Sequence, residues 1–442
     1  MKAFSPFILF FSLTVFCRTA FAQAEFDQTI SEYLNATTSE NRFRASEKIL
    51  SFHPSFDSVY ARLQQGRTYD NNVKRGFLCW DRITESGIQL FALIFIPYNY
   101  TPEKKYPVRV FLHGDISLTD PYNVFRFIDT TLQDYKTVEQ IRIYPSGYFA
   151  ARWYYDLQYR NVMQLIDSVK QQYNVDENRI SLGGVSDGGT GTYAFANYNV
   201  TPYSCFTPYI GSAAGLFFLG QHQAYFLNYS NKPFFIVNGA CDRVFPKEIV
   251  TPWVDQIRRL NKDVSFFMLD TFGHTLRWMP LLKDTLDRFI ALHPRNPFPD
   301  HLIWQTEDLR YNRNHWVVIE SIGETRHYGS DLQDENLVLI NGTTQFAFKR
   351  DSAWGLIEVT REGNTVRVKT NGVKSFTLLF SPEQFDFSKP VTVYTNDLLS
   401  FQGMPEKSIS TLLKWHAIDQ DRMMLFACEL TIKTDKVFKP RK

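Results

Sequence analysis

Three short polar pieces, each placed directly after an apolar run, constrain this chain more than any other feature. Ile180-Ser181-Leu182 leads into Gly184-Val185-Ser186-Asp187-Gly188. Phe234-Phe235-Ile236-Val237 leads into Asn238-Gly239-Ala240-Cys241-Asp242. Val264 to Leu269 leads into Phe272-Gly273-His274. Short apolar runs bounded by turn residues read as buried strands, so each piece falls at a strand end. A serine hydroxyl is a poor nucleophile until a neighbouring imidazole takes its proton, and the imidazole needs a carboxylate to fix its tautomer. Ser186, His274 and Asp242 supply one candidate for each role, in the order Ser, Asp, His. Asp270 is a rival acid, but it sits near the end of the strand that leads to His274, where a turn or surface role suits it better.

The surroundings predict how these ends are held together. Strands are expected at Phe77 to Ile83, Gln89 to Ile96, Val108 to Leu112, Ile141 to Tyr144, Ile180 to Leu182, Phe206 to Ile210, Phe234 to Val237 and Val264 to Leu269. Helices are expected at Phe125 to Leu132, Tyr159 to Tyr173, after Gly188 to about Tyr198, and Pro280 to Leu292. Strands that alternate with helices imply a largely parallel sheet covered on both faces, so 76–295 reads as an α/β domain. Three prolines between Pro294 and Pro299 mark a boundary. Beyond it, 300–442 carries short strands and one helix, Lys407 to Ala417. Gly363-Asn364 and Asn371-Gly372 read as hairpin turns there, and the region reads as an all-β sandwich. Residues 23–75 have helical spacing at Phe26, Ile30, Tyr33 and Leu34, and form an N-terminal helical segment.

Residues 1–22 read as a secretory signal peptide. Lys2 is followed by an apolar stretch, Phe4 to Phe16, and by the small-x-small site Ala20-Phe21-Ala22. That stretch is shorter than the roughly 20 residues that a spanning helix needs. The mature chain is therefore expected to be secreted or periplasmic. A net charge of +2 gives no polybasic surface for nucleic acid or anionic membrane. Cys79, Cys205, Cys241 and Cys428 remain after the signal. Export permits disulfides between them, but none forms a Cys-x-x-Cys pair, and buried single thiols are the favoured reading. No His/Cys/Asp/Glu spacing suggests a metal, and no cofactor is expected.

Around the serine, the sharp strand-to-helix turn needs glycine at 184 and 188, and it places Ser186 at a helix N-terminus where free N–H groups favour a developing anion. The oxyanion donors are expected to be the N–H groups of Asp187 and of Asp115, in the His113-Gly114-Asp115 loop after the Leu112 strand. Trp153 and Tyr154, on the loop after the Ile141 to Tyr144 strand, are candidate substrate-binding residues.

The run Asn174 to Gly191, with Val108 to Asp115, Tyr144 to Gly147, Asn238 to Pro246 and Phe272 to His274, resembles the α/β-hydrolase superfamily. The nearest groups are secreted esterases of the polyhydroxybutyrate-depolymerase and feruloyl-esterase kinds, and prolyl-oligopeptidase-like catalytic domains. The chain departs from the common pattern at Asp187, where a small or apolar residue is frequent, and at His-Gly-Asp, where His-Gly-Gly is commoner. The resemblance implies an exported serine hydrolase acting on a small-molecule or polysaccharide-linked carboxylic ester. A serine peptidase would use the same acyl-enzyme chemistry. A non-catalytic binding protein with an inherited site is the third reading. No stretch is long enough for a propeller, so a complete prolyl oligopeptidase is not expected. The acyl group, the leaving group and the oligomeric state stay open.

Overall fold

The computed structural model describes residues 23–216, 224–323, 337–340, 343–346 and 353–434. Residues 1–22, read above as a signal peptide, and the last two residues of a strand expected at Thr344 to Phe348 lie outside the described residues. Among the described residues no helix is long and apolar enough to cross a membrane.

The central element is an eight-stranded sheet. Its strands are β1 Gly76–Ile83, β2 Gln89–Ile96, β3 Tyr106–Leu112, β4 Ile141–Pro145, β5 Val175–Val185, β6 Phe206–Tyr209, β7 Phe234–Gly239 and β8 Val264–Leu269. Their spatial order is β1-β2-β4-β3-β5-β6-β7-β8. β2 runs antiparallel to β1 and β4, and the pairs from β4 through β8 are parallel. The chain moves outward from β3 to β4, then returns to lay β5 on the other side of β3. Open α/β sheets bind ligands at such a reversal, outside the carboxyl ends of the two strands, here β3 and β5. The two strands are in register there, with Leu112 opposite Gly184.

Helices accompany the sheet. They are α4 Asp156–Gln172, α5 Asp187–Tyr198, α6 Lys247–Leu260 and α7 Met279–Leu292. α4 buries Val162, Leu165, Ile166 and Val169, spaced by three and four residues. Val185, Tyr209, Phe235 and Val237 form one core with Trp278, Leu286 and Phe289. α6, which carries Pro252 in its interior, has no counterpart among the expected helices. The helix expected at Phe125 to Leu132 is absent, and only a 3-10 turn, Asn123–Arg126, forms. Asp129 explains the stop: its side chain accepts the backbone N–H of Thr131 at 2.9 Å, which offers the backbone an alternative to the helix.

After the sheet, a five-stranded sheet of order β18-β17-β15-β14-β9 and a four-stranded sheet of order β10-β11-β16-β19 form the β region. They comprise β9 His301–Thr306, β10 Arg313–Asn314, β11 Val317–Ile322, β14 Gly355–Glu362, β15 Thr365–Asn371, β16 Val373–Phe380, β17 Val391–Thr395, β18 Leu398–Gly403 and β19 Cys428–Lys433. β12 Leu337–Ile340 and β13 Thr343–Phe346 pair separately. Gly363-Asn364 is a two-residue hairpin joining β14 to β15, as its sequence suggests. Asn371-Gly372 is not a hairpin. Asn371 pairs back to Leu356 in one sheet, while Val373 pairs with Ile322 in the other, so the chain changes sheets at that point. The β region is fastened to the α/β part by a reciprocal amide pair. Asn228 donates to the Gln305 carbonyl and accepts the Gln305 N–H, at 2.9 and 2.8 Å.

Two compact units emerge. Among the described residues, one joins 23–68 with Glu406–Cys428, and the other holds those between Tyr69 and Pro405 together with 429–434. The N-terminal helices and the C-terminal helix, expected in separate segments, fall in the same unit. In the first unit, α1 (23–35), α2 Ser39–Ser51, α3 Phe56–Gln65 and α8 Ile409–Asp419 share one core of Ile30, Tyr33, Ile49, Leu63, Leu412 and Leu413. The Tyr33 hydroxyl donates to the Leu413 carbonyl at 2.7 Å. No short amphipathic helix buries its apolar face alone, so the core draws on chain from both ends.

No disulfide forms among the four described cysteines. Cys205 is buried as expected, but Cys79 and Cys241 are exposed and Cys428 is half-buried. Cys79 lies on β1, at the edge of the sheet, where alternate side chains face outward.

Candidate active site

β5 ends at Val185 and α5 begins at Asp187, so one residue must reverse the chain. Ser186 does so at φ 57° and ψ −117°, a conformation that costs on the order of 1–3 kcal/mol and persists only where neighbours enforce it. The enforcement is visible. Ser186 N–H donates to the Tyr209 carbonyl of β6 at 3.0 Å, and its own carbonyl accepts Thr190 N–H at 3.0 Å, the first bond of α5. A Cβ at Gly184 or Gly188 would strike the Leu112 carbonyl of β3, so neither position tolerates another residue without movement.

Asp242 and His274 reach the same point from β7 and β8. The two following loops are sewn together, with Ala240 N–H on the Leu269 carbonyl and Cys241 N–H on the Phe272 carbonyl, both 2.9 Å. Asp242 is enclosed: its side chain is 0% exposed. Its Oδ1 accepts the N–H groups of Val244 and Phe245 at 2.8 and 3.0 Å. Its Oδ2 lies 2.8 Å from His274 Nδ1. With Nδ1–H given to the carboxylate, Nε2 is left as an acceptor, and it lies 2.8 Å from Ser186 Oγ. The His274 side chain is 29% exposed, so the end of this chain of bonds faces solvent. The rival Asp270 is exposed, and its bond to this loop runs through its carbonyl, which accepts the Cys241 thiol.

Asp187 N–H opens α5 and has no acceptor within the helix. Asp115 sits on the adjoining loop at φ 51°. Its carbonyl accepts Asn123 Nδ2, and its carboxylate is drawn outward by Arg126 at 3.1 Å and by the Ser117 hydroxyl at 2.8 Å.

Beneath this loop, His113 is fully buried. Its Nδ1–H donates to the Gly114 carbonyl at 2.6 Å and its Nε2 accepts Gly147 N–H at 2.9 Å. Burial pushes its pKa down to about 4, so the ring is neutral and pins the β3 loop to the β4 loop. Sequence reasoning gave His113 no role of its own. A His-Gly pair after a strand looks alike whether it is sealed or open.

Trp153 and Tyr154 require a correction. They are 0% and 2% exposed, which leaves no ring face for a solute. Trp153 instead donates its indole N–H to the His113 carbonyl at 2.9 Å and packs edge-on against the His113 ring. The Tyr154 hydroxyl accepts Arg152 Nη1 at 3.2 Å. Trp153 braces the floor of the loop, a role that its position in the sequence did not disclose.

The strand order, the strained serine between β5 and α5, and the carboxylate and imidazole after β7 and β8 have the arrangement of an α/β-hydrolase fold. Solved structures similar to this chain include a thermostable esterase, 20% identical with a TM-score of 0.41, over 50% of this chain and 63% of that one. An acylaminoacyl peptidase of Pyrococcus horikoshii is 14% identical with a TM-score of 0.39, over 51% of this chain and 43% of its own. An S-formylglutathione hydrolase of Staphylococcus aureus is 15% identical with a TM-score of 0.38, over 49% and 100%. This chain thus spans less than two thirds of the first of these. Likeness at this level bears on none of the chemistry. No family model and no curated protein matches the chain.

Proposed function

We propose that this protein is a serine hydrolase that cleaves carboxylic esters through an acyl-enzyme. The observation that carries the reading is the unbroken chain from Asp242 Oδ2 through His274 to Ser186 Oγ, with both links at 2.8 Å. Ser186 Oγ attacks the ester carbonyl while His274 Nε2 takes the hydroxyl proton. Asp242 steadies the imidazolium that forms. The oxyanion is received by the N–H groups of Asp187 and Asp115, the first at the positive end of α5. When the carbonyl re-forms, the C–O bond to the alcohol breaks and His274 returns the proton to the leaving oxygen. Water, with its proton drawn to His274, then releases the acid and restores Ser186. The substrate is a small-molecule or polysaccharide-linked ester. Residues 1–22 support export of the mature chain, which N-terminal sequencing of secreted protein checks at Gln23.

The test is a set of initial rates on p-nitrophenyl acetate and butyrate, methyl ferulate, acetylated xylan, and aminoacyl and prolyl p-nitroanilides, each with wild type and Ser186→Ala. Ester turnover that falls to the buffer rate in Ser186→Ala is expected. Turnover of the anilides alone would make the protein a peptidase. Ester turnover unchanged in Ser186→Ala would reject the nucleophile.

A further inference from the structure

Asp187, the residue after the proposed nucleophile, has a carboxylate where small or apolar side chains are common. That carboxylate spans a gap. It leaves the first residue of α5 and its Oδ2 accepts Ile116 N–H at 3.2 Å, on the loop after β3. Each of the two segments carries one oxyanion donor, Asp187 N–H on the helix and Asp115 N–H on the loop. Ile116 follows Asp115 directly. Asp115 holds φ 51°, a left-handed conformation that L residues keep only when their surroundings over-determine it. On its upstream side the loop is wedged against the serine, since a Cβ on Gly114 would lie 3.0 Å from Ser186 Cβ. On its downstream side the Ile116 side chain is buried. The Asp187 carboxylate ties this last point to the helix.

We propose that Asp187 is a positioning residue, whose carboxylate holds the Asp115 loop to the start of α5 so that both oxyanion donors converge on one point. This rests on the serine-hydrolase reading. Four charged or titratable groups face the carboxylate: Asp115, Arg152, His274 and, beyond Arg152, Tyr154. Burial raises its pKa most, and Asp115 adds to this. The Ile116 N–H, Arg152 and His274 act in the opposite sense. A carboxylate this close to a developing oxyanion opposes it electrostatically. Its contribution is therefore geometric, through an acceptor atom, rather than through its charge.

Asparagine keeps an acceptor oxygen at that point and removes the charge, whereas alanine removes both. The experiment measures second-order rates of fluorophosphonate labelling for wild type, Ser186→Ala, Asp187→Asn and Asp187→Ala, because the phosphonyl oxygen uses the same donors as an ester oxyanion and no natural substrate is needed. Thermal unfolding runs alongside. Asp187→Ala should label about 100-fold more slowly, on the scale of losing one oxyanion donor. Asp187→Asn should recover most of that loss. On p-nitrophenyl acetate the alanine loss should fall in kcat with KM little changed. Alanine labelling at the wild-type rate would overturn the inference, as would asparagine labelling as slowly as alanine in a folded protein. Wild type that fails to label, or Ser186→Ala that labels equally fast, would instead remove the serine-hydrolase reading and this inference with it.

Discussion

Two loops at the same edge of the sheet each carry a histidine beside a glycine, His113-Gly114 after β3 and Gly273-His274 after β8. In sequence they look interchangeable. In the structure one ring is fully buried, bonded at both nitrogens to backbone, and held neutral. The other is partly open, with one nitrogen on a buried carboxylate and the other on a hydroxyl. The difference teaches what separates a ring fixed by backbone from a ring set between two side chains. A ring bonded at both nitrogens to fixed backbone has no site left for a moving proton. A ring between a carboxylate and a hydroxyl keeps one nitrogen beside a group that has a proton to give.

The strongest way to break this comparison is to delete each ring. His274→Ala should lower kcat on an active ester by on the order of 10⁴-fold or more, because such residues act as a unit, and should leave thermal stability close to wild type. Asp242→Asn should cost on the order of 10⁴-fold by presenting the wrong tautomer to Ser186. Asp270→Asn should stay within a few-fold. A large loss in Asp270→Asn with none in Asp242→Asn would reassign the acid.

His113→Ala should do the reverse, with stability falling first. It leaves Gly147 N–H and the Gly114 carbonyl without their partner and opens a cavity beside Trp153, a loss of about 2–4 kcal/mol in urea unfolding. The pH dependence sharpens the point. The folded ring has its pKa lowered to about 4, below the 6.5 of an ordinary histidine. Between these values the unfolded chain binds a proton that the folded chain does not. The contribution of neutral His113 is therefore full above about pH 6.5 and is lost as pH falls toward 4, by up to about 3 kcal/mol. Unfolding midpoints at about pH 7 and about pH 5 should separate less in His113→Ala than in wild type. Equal separations would mean that the ring titrates freely in the fold.

The main sheet and the three convergent residues were legible because chemistry and periodicity left few alternatives. Buried runs such as Phe234 to Val237 can be little but strands, and a nucleophile, a base and an acid at strand ends have a known use. What was not legible depended on partners far away in sequence or on which face a residue takes. Trp153 looked like a pocket ring, and nothing in Arg152-Trp153-Tyr154 shows that its indole reaches back to His113. Asn371-Gly372 has hairpin residues, yet its two flanking strands find partners in different sheets. Tyr33 meets Leu413 across 380 residues, a separation that no local pattern encodes. The helix containing Pro252 was missed because a local breaker was overruled by the burial of Val250, Trp253, Val254 and Ile257.

A third histidine tests the comparison with the smallest expected effect. His315, in the β region, is fully buried and its Nε2 accepts the amine of Lys232 at 3.1 Å, while its Nδ1–H donates to Asn314 Oδ1. Burial drives the pKa values of both Lys232 and His315 well below their ordinary values, and Arg295 pushes in the same direction on each. The folded chain therefore holds the Lys232 proton less tightly than the unfolded chain does. This disfavours the fold below the ordinary lysine pKa of 10.5, and the cost fades as pH rises toward that value. Methionine has similar length and no proton to lose, but it leaves His315 Nε2 without a donor, which takes back about 1–3 kcal/mol. Lys232→Met is expected to raise the urea midpoint at neutral pH, with ester turnover unchanged. A lower midpoint would mean that the amine contributes more through His315 than its desolvation costs. The pair would then act as a fastener for the β region, much as His113 fastens the β3 loop.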